Sequence, residues 1–163
     1  NSVNEESTTK PLSPYGQSKL DMEKITIQSK INYAILRLFN VYGKGQTTGV
    51  IANFGKNISE NNPLTIFGDG KAIRDFIHID DVVDAIILSM KSTSGIYNIA
   101  SGNGTSITDL AKLLIELFGK NSKIVYQPAR KGEIIYSVSD ITKSQNKLGF
   151  NPKIVLNDGL KTL

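Results

Sequence analysis

Tyr15 and Lys19 are separated by the spacing that chemistry on one helix face requires. Four residues of α-helix rise about 6 Å and return to nearly the same side, so both side chains can point into one site. A free tyrosine, with a pKa of about 10, is a poor base at neutral pH because only about a thousandth is ionised. A nearby ammonium favours the phenolate and lowers that pKa. The pair therefore suits removal of a hydroxyl proton while a hydride leaves the same carbon. On its own the spacing is equally that of a chance surface pair.

The chain has three arginines, Arg37, Arg74 and Arg130, against abundant lysine. A guanidinium fork matches phosphate oxygens better than an ammonium does. Arg74 and Arg130 are accordingly candidates for gripping a diphosphate, with surface ion pairing as the alternative, for Arg74 to its neighbour Asp75. The single histidine, His78, lies among isoleucines and reads as a packed or capping residue. Asp80 and Asp81 stand at a helix start, where the dipole favours carboxylates, so no metal site is expected there. Cysteine is absent, which excludes disulfides, thiolate zinc sites and thiol catalysis.

These residues must be held by alternating helices and strands. Ser13 can cap, and Pro14 can begin, a helix reaching about Lys30. The apolar run 33–38 reads as a buried parallel strand. Helix 50–59, strand 64–67, the turn Gly68-Asp69-Gly70, and the segment Phe76–Ile79 follow. Asp80 is expected to cap a helix over 81–90. Strand 96–100 precedes a capping box, Ser106 to Asp109, that opens a helix ending near Gly119. Strand 123–126, helix 140–148 and a last helix from Val155 complete the pattern. Tyr33, Phe39, Phe54 and Phe67 read as core aromatics. The alternation gives an α/β class.

With 163 residues, 39% apolar and 21% charged, the composition is that of a folded domain, not of a disordered chain. No apolar run approaches the roughly 20 residues of a membrane span. The net charge of +4 comes from lysines scattered singly, whereas nucleic-acid binders cluster theirs on one face. Neither a nucleic-acid nor a membrane partner is expected, and the cytoplasm is the expected location. The chain opens Asn1-Ser2-Val3-Asn4, neither a methionine start nor a signal peptide, as if cut from a longer protein.

Several blocks occur in a telling order: Ser13-Pro14-Tyr15-Gly16-Gln17-Ser18-Lys19-Leu20; Leu36-Arg37-Leu38-Phe39-Asn40-Val41-Tyr42-Gly43; and the stretch from Phe67 through Arg74-Asp75-Phe76-Ile77-His78 to Val83. Tyr97-Asn98-Ile99-Ala100-Ser101-Gly102, Gly132-Glu133, Ser139-Asp140 and Leu148-Gly149-Phe150-Asn151-Pro152 complete the series. Together they resemble the extended short-chain dehydrogenase/reductase family, within it the NAD-dependent nucleotide-sugar epimerases and dehydratases of the UDP-glucose (UDP-galactose) 4-epimerase type. The resemblance covers essentially the whole chain but only the C-terminal half of the family pattern. The Gly-x-x-Gly-x-x-Gly loop that holds the NAD pyrophosphate, and the Ser/Thr completing the catalytic triad, have no counterpart here.

The resemblance implies the C-terminal part of a doubly wound parallel (Rossmann-like) sheet with a smaller α/β substrate-binding lobe. Residues 1–48 would belong to the NAD-binding domain and 49–163 to the lobe, with about 78–100 returning to the sheet. Tyr15 would be the base, and Lys19 would hold the nicotinamide ribose and lower the tyrosine pKa. The main chain near Phe39 and Val41 would border the nicotinamide. Asn40, Arg74 and Arg130 would hold the nucleotide-sugar diphosphate, a UDP-hexose being the expected substrate. Glu133 stands where the family usually has an aspartate on the nucleotide ribose, and Val50 and Ile51 stand near the base. As a plain strand-end residue, Asn40 has a simpler reading, as does Gly68–Gly70 as a hairpin turn. Helix 14–30 would form a homodimer interface.

The implied reaction is 4-epimerisation of a nucleotide sugar through a 4-keto intermediate. A 4,6-dehydratase or decarboxylase of the same family, and a truncated fragment that only binds nucleotide, are the alternatives. The isolated chain is expected to be inactive.

Overall fold

Pro14 occupies the first turn and the Ser13 hydroxyl accepts the Gly16 N–H at 3.1 Å, which starts helix α1 over Pro14–Gln28. It stops two residues short of the expected end; Lys30 beyond it has a positive φ of 60°. A computed structural model describes residues 2–92 and 94–163. After α1 come β1 (Ala34–Leu38), β2 (Asn40–Tyr42), α2 (Val50–Ser59), β3 (Leu64–Phe67), β4 (Ile73–His78) and α3 (Ile79–Ser89). Then follow β5 (Gly95–Ile99), β6 (Gly104–Ser106), α4 (Ile107–Leu117), β7 (Ile124–Gln127), β8 (Tyr136–Ser137), α5 (Thr142–Leu148) and α6 (Leu156–Leu160).

The fold is α/β with mostly parallel pairing. β1 pairs in parallel with β5, Ala34 opposite Gly95. One residue later the chain changes partners: the Phe39 N–H still reaches Ile99 O at 3.1 Å, but β2 runs parallel to β4, Asn40 opposite Phe76. Phe39 is thus the point at which one extended segment leaves one sheet and enters another. β4 also pairs antiparallel with β6 and parallel with β8, and β3 pairs in parallel with β7. Because β3 and β4 belong to different sheets, Gly68–Gly70 is no hairpin turn. Gly68 and Gly70 both have positive φ (76° and 74°), and a Cβ on Gly70 would collide with the Thr108 hydroxyl.

Two buried clusters lie behind these sheets. One gathers Phe54 and Ile58 of α2, Leu64 and Ile66 of β3, Phe76 of β4, and Leu110 and Leu114 of α4. The other joins Ile77, Val82, Ala85, Tyr97, Ile99 and Phe150, with Leu36 packed on it. Of the four aromatics assigned to the core, only Phe54 is fully buried; Tyr33, Phe39 and Phe67 are half-buried.

The caps refine the boundaries. His78, not Asp80, caps α3: its Nδ1 accepts the Asp80 N–H at 3.2 Å, so the helix begins at Ile79. Asp81 is buried and accepts the Lys153 and Ile154 N–H groups at 2.9 and 3.1 Å, tying α3 to the segment before α6. The Ser106 capping box forms as the pattern demands, with the Asp109 N–H donating to Ser106 Oγ at 3.0 Å. α5 begins at Thr142, two residues later than expected, because the Asp140 carboxylate accepts the Thr142 N–H instead. β2, β6 and β8, of two or three residues each, are too short to leave a periodic signal.

Candidate functional site

Asn40, Arg74, Arg130 and Glu133 meet at one cleft of about 730 Å³. They arrive from three places: β2, β4 and the connection from β7 to β8. Asn40 opens β2, and its Nδ2 donates to Asp75 O at 2.8 Å, which fixes the side chain on the edge of β4. Arg74 lies within β4, and its Nη1 donates to the Ile73 carbonyl at 3.0 Å. Arg130, past the end of β7, stacks its guanidinium on Phe67 with Cζ 3.7 Å from the ring centroid. Glu133 follows three residues later, its carboxylate 3.8 Å from Arg74 Nη2.

The supposed Arg74–Asp75 pair does not form, because alternate residues of a strand face opposite sides. Asp75 is fully buried and faces inward. Its carboxylate accepts the Ser101 N–H (2.8 Å), the Ser101 hydroxyl (2.6 Å), the Gly102 N–H (3.0 Å) and the Ser139 N–H (3.2 Å). Burial raises its pKa, opposed by these same bonds. Asp75 thus staples the loop after β5 and the segment after β8 to the strand that carries Arg74.

Phe67, Asn53, Lys56 and Thr65 also line the cleft, and none of them stands out in the sequence as a binding residue. Phe67 reads as core by type, and only its contact with Arg130 reveals another use. Asn53 and Lys56 sit on the face of α2 opposite Ile51, Phe54 and Ile58; a polar helix face carries no mark distinguishing solvent from ligand. Val50 lines the cleft, whereas Ile51 is buried and borders a separate pocket with Leu114 and Phe118.

Tyr15 and Lys19 line a second cleft of about 480 Å³, between α1 and β1, with Leu36 and Leu38 on its floor. Lys19 Nζ is 5.3 Å from the Tyr15 ring centroid, so the two side chains do share a face. Tyr15 is 70% exposed and α1 buries no residue. Among the described residues, the side-chain bonds that leave α1 run from Glu23 to Arg37 of β1. They form a bidentate pair at 2.8 and 2.7 Å, and this carboxylate raises the Arg37 pKa. Phe39 and Val41 lie on the segment between the two clefts, with Val41 O accepting from Gln46 Nε2 at 3.0 Å.

A tyrosine–lysine face thus lines one cleft, and the two arginines line another. The pattern of the NAD dependent epimerase/dehydratase family matches residues 1–100. The chain belongs to that family. A UDP-glucuronate 4-epimerase of Thermodesulfobacterium geofontis is 35% identical over 93% of the chain and 49% of its own length. Among solved structures, the UDP-glucose 4-epimerase of Thermotoga maritima with UDP-glucose superposes with a TM-score of 0.89 at 37% identity, over 98% of this chain and 55% of that one. The UDP-glucuronic acid 4-epimerase of Bacillus cereus, in complex with UDP-glucuronic acid and NAD, gives 0.92 at 32% identity, over 99% and 55%. The chain therefore spans about half the length of the curated relatives it matches. Among the described residues, no helix is long and apolar enough to cross a membrane.

Proposed function

We propose that this chain supplies the catalytic tyrosine–lysine pair and the nucleotide-sugar cleft of an NAD-dependent 4-epimerase acting on a UDP-hexose. The convergence of Asn40, Arg74, Arg130 and Glu133 on one cleft, from three separated segments, carries the reading. A diphosphate brings about two negative charges, and two guanidinium forks with a side-chain amide supply the matching donors. Glu133, an acceptor, suits a ribose hydroxyl. Phe67 and Val50 offer apolar surface for a base.

On this reading residues 1–48 and about 78–100 belong to the dinucleotide-binding domain, and the remainder to the substrate lobe. The NAD fit is partial. Tyr15 and Lys19 on one face of a cleft, with Leu36 and Leu38 below, suit the ribose and nicotinamide end, and Phe39 and Val41 would border it. No Gly-x-x-Gly-x-x-Gly occurs in the 163 residues to hold a pyrophosphate. NAD, when bound, supplies the reversible acceptance of a hydride. Tyr15 takes the C4 hydroxyl proton of the sugar as that carbon is oxidised and returns it after the 4-keto sugar has turned over. The Lys19 ammonium favours the phenolate and orients the ribose. Arg74, Arg130 and Asn40 hold the diphosphate, the fixed point about which the sugar turns. The exposed Met22, Ile25 and Ile27 of α1 support its use as a homodimer interface.

The test is twofold. The 163-residue chain should bind UDP in calorimetry yet show no interconversion of UDP-galactose and UDP-glucose in a coupled assay with added NAD. UDP binding that survives Arg74→Ala unchanged would overturn the cleft assignment, and turnover by this chain would overturn the division of labour.

A further inference from the structure

Tyr15, Lys19 and Glu23 follow one another at four-residue intervals along α1, and all three line the same cleft. Lys19 therefore has two neighbours on its face, a phenol one turn before it and a carboxylate one turn after. An ammonium and a carboxylate four residues apart on a helix lie within reach of each other. Yet Lys19 Nζ sits 5.3 Å from the Tyr15 ring centroid and, among the described residues, has no carboxylate within 4 Å. Glu23 is engaged elsewhere: its two oxygens accept from Arg37 Nε and Nη2 at 2.8 and 2.7 Å, with the Arg37 and Glu23 side chains 23% and 17% exposed. Arg37 is itself held, its Nη1 donating to the Glu5 carbonyl at 3.1 Å, while the Glu5 carboxylate accepts the Asn98 N–H of β5 at 2.7 Å. The other acids nearby have partners of their own, Glu6 in Lys143 at 3.9 Å and Asp21 in Lys24 at 3.8 Å.

We infer that Arg37 is a positioning residue for the tyrosine–lysine pair: by claiming both oxygens of Glu23, it withholds that carboxylate from Lys19 and leaves the ammonium to Tyr15. The inference rests on the proposed reading of Tyr15 as the base and Lys19 as the cation that favours its phenolate. A bare Glu23 acts against that chemistry twice. It draws Lys19 along the helix, away from the phenol, and it puts a negative charge on the face where the phenolate forms. Paired, Glu23 and Arg37 are neutral together, so neither effect arises. A guanidinium fork suits the task because it occupies two oxygens at once, whereas an ammonium is a single point charge. Arg37 acts only through Glu23.

The experiment follows the Tyr15 phenol of the whole chain through an alkaline titration. It uses NMR of isotope-labelled tyrosine, the Tyr15 signal being assigned by its loss in Tyr15→Phe. Arg37→Met bares Glu23, so the ionisation constant of Tyr15 should fall about 2-fold. Arg37→Met combined with Glu23→Gln breaks the same tether without baring a charge, and should restore the wild-type constant within about 1.2-fold. Glu23→Gln alone should not lower it. A role confined to fastening α1 gives one common shift in all three variants, since each loses the ion pair; that result, or no shift in Arg37→Met, overturns the inference. Should thermal melts show that Arg37→Met does not fold, Arg37→Lys is the second variant. It frees one Glu23 oxygen and should lower the constant about 1.4-fold, and an unchanged constant there also overturns the inference. Lys19→Met tests the underlying reading separately. It should lower the constant at least about 2-fold, and an unchanged titration in that variant removes the tyrosine–lysine assignment, and this inference with it.

Discussion

The two clefts are built on different foundations. Behind the arginine cleft stands a continuous buried cluster, in which Phe54, Ile58, Leu64 and Phe76 are at most 5% exposed. The strand carrying Arg74 is stapled by a buried carboxylate with four donors. Behind the tyrosine–lysine cleft stands a helix that buries no residue and, among the described residues, is fastened to the sheet by the Glu23–Arg37 ion pair. Binding a diphosphate needs donors held at fixed positions before the ligand arrives, and the residues packed around the arginine cleft supply such rigidity. The helix that carries Tyr15 and Lys19 has no comparable support among the described residues.

That contrast can be broken at several points. Truncating Phe54 to alanine should cost about 3–5 kcal/mol, read from denaturant unfolding, since it opens a cavity in the cluster that supports the cleft. The alkaline limb should be governed by Tyr42 of the same cluster. Its phenol is buried, and this burial, with Asp81 and Asp158 nearby, pushes the pKa up to about 12. The fold therefore favours the neutral phenol, while the unfolded chain ionises near 10. This contribution is complete below pH 10 and is lost as pH rises to 12, on the order of 2 kcal/mol. Because the Tyr42 hydroxyl has no hydrogen-bond partner among the described residues, Tyr42→Phe should abolish that loss without weakening the protein at pH 7; a melting curve that still falls as steeply would refute this. Arg74→Ala should reduce UDP affinity about 30-fold through loss of charge-assisted hydrogen bonds, while leaving the melting temperature within a degree or two. The smallest effect belongs to α1: Ile25→Ala, at a side chain 67% exposed, should change stability by less than about 0.5 kcal/mol. A cost above 1 kcal/mol there would mean that α1 is packed far more firmly than the structure places it.

Much of this was readable from residue order, and the exceptions have physical causes. Helix 50–59 and strand 64–67 were located to the residue because periodicity and flanking breakers, Gly49 and Asn61-Asn62-Pro63, agree there. The start of α3 was misplaced because an imidazole, an uncommon cap, takes the place expected of Asp80: His78 accepts the Asp80 N–H, so the helix starts at Ile79. Asp75, the alternative partner for Arg74, fails because nearness in sequence is the wrong guide on a strand, where neighbours face apart. The ion-pair partner of Arg74 lies 59 positions on, at Glu133, a distance that only folding closes. The blocks naming Asn40, Arg74, Arg130 and Glu133 carried the cleft. The separation of these residues from Tyr15 and Lys19 into a second cleft became visible only once the sheets were laid out.

The central claim is that the arginine cleft is a self-sufficient diphosphate site, independent of the tyrosine–lysine helix. Titrating UDP into the wild type, Arg74→Ala, Arg130→Ala and Tyr15→Phe by calorimetry tests it most directly. The account predicts saturable one-to-one binding in the wild type, retained within about 2-fold in Tyr15→Phe and weakened at least 10-fold in either arginine variant. No binding by the wild type, or equal binding by all four proteins, would contradict it.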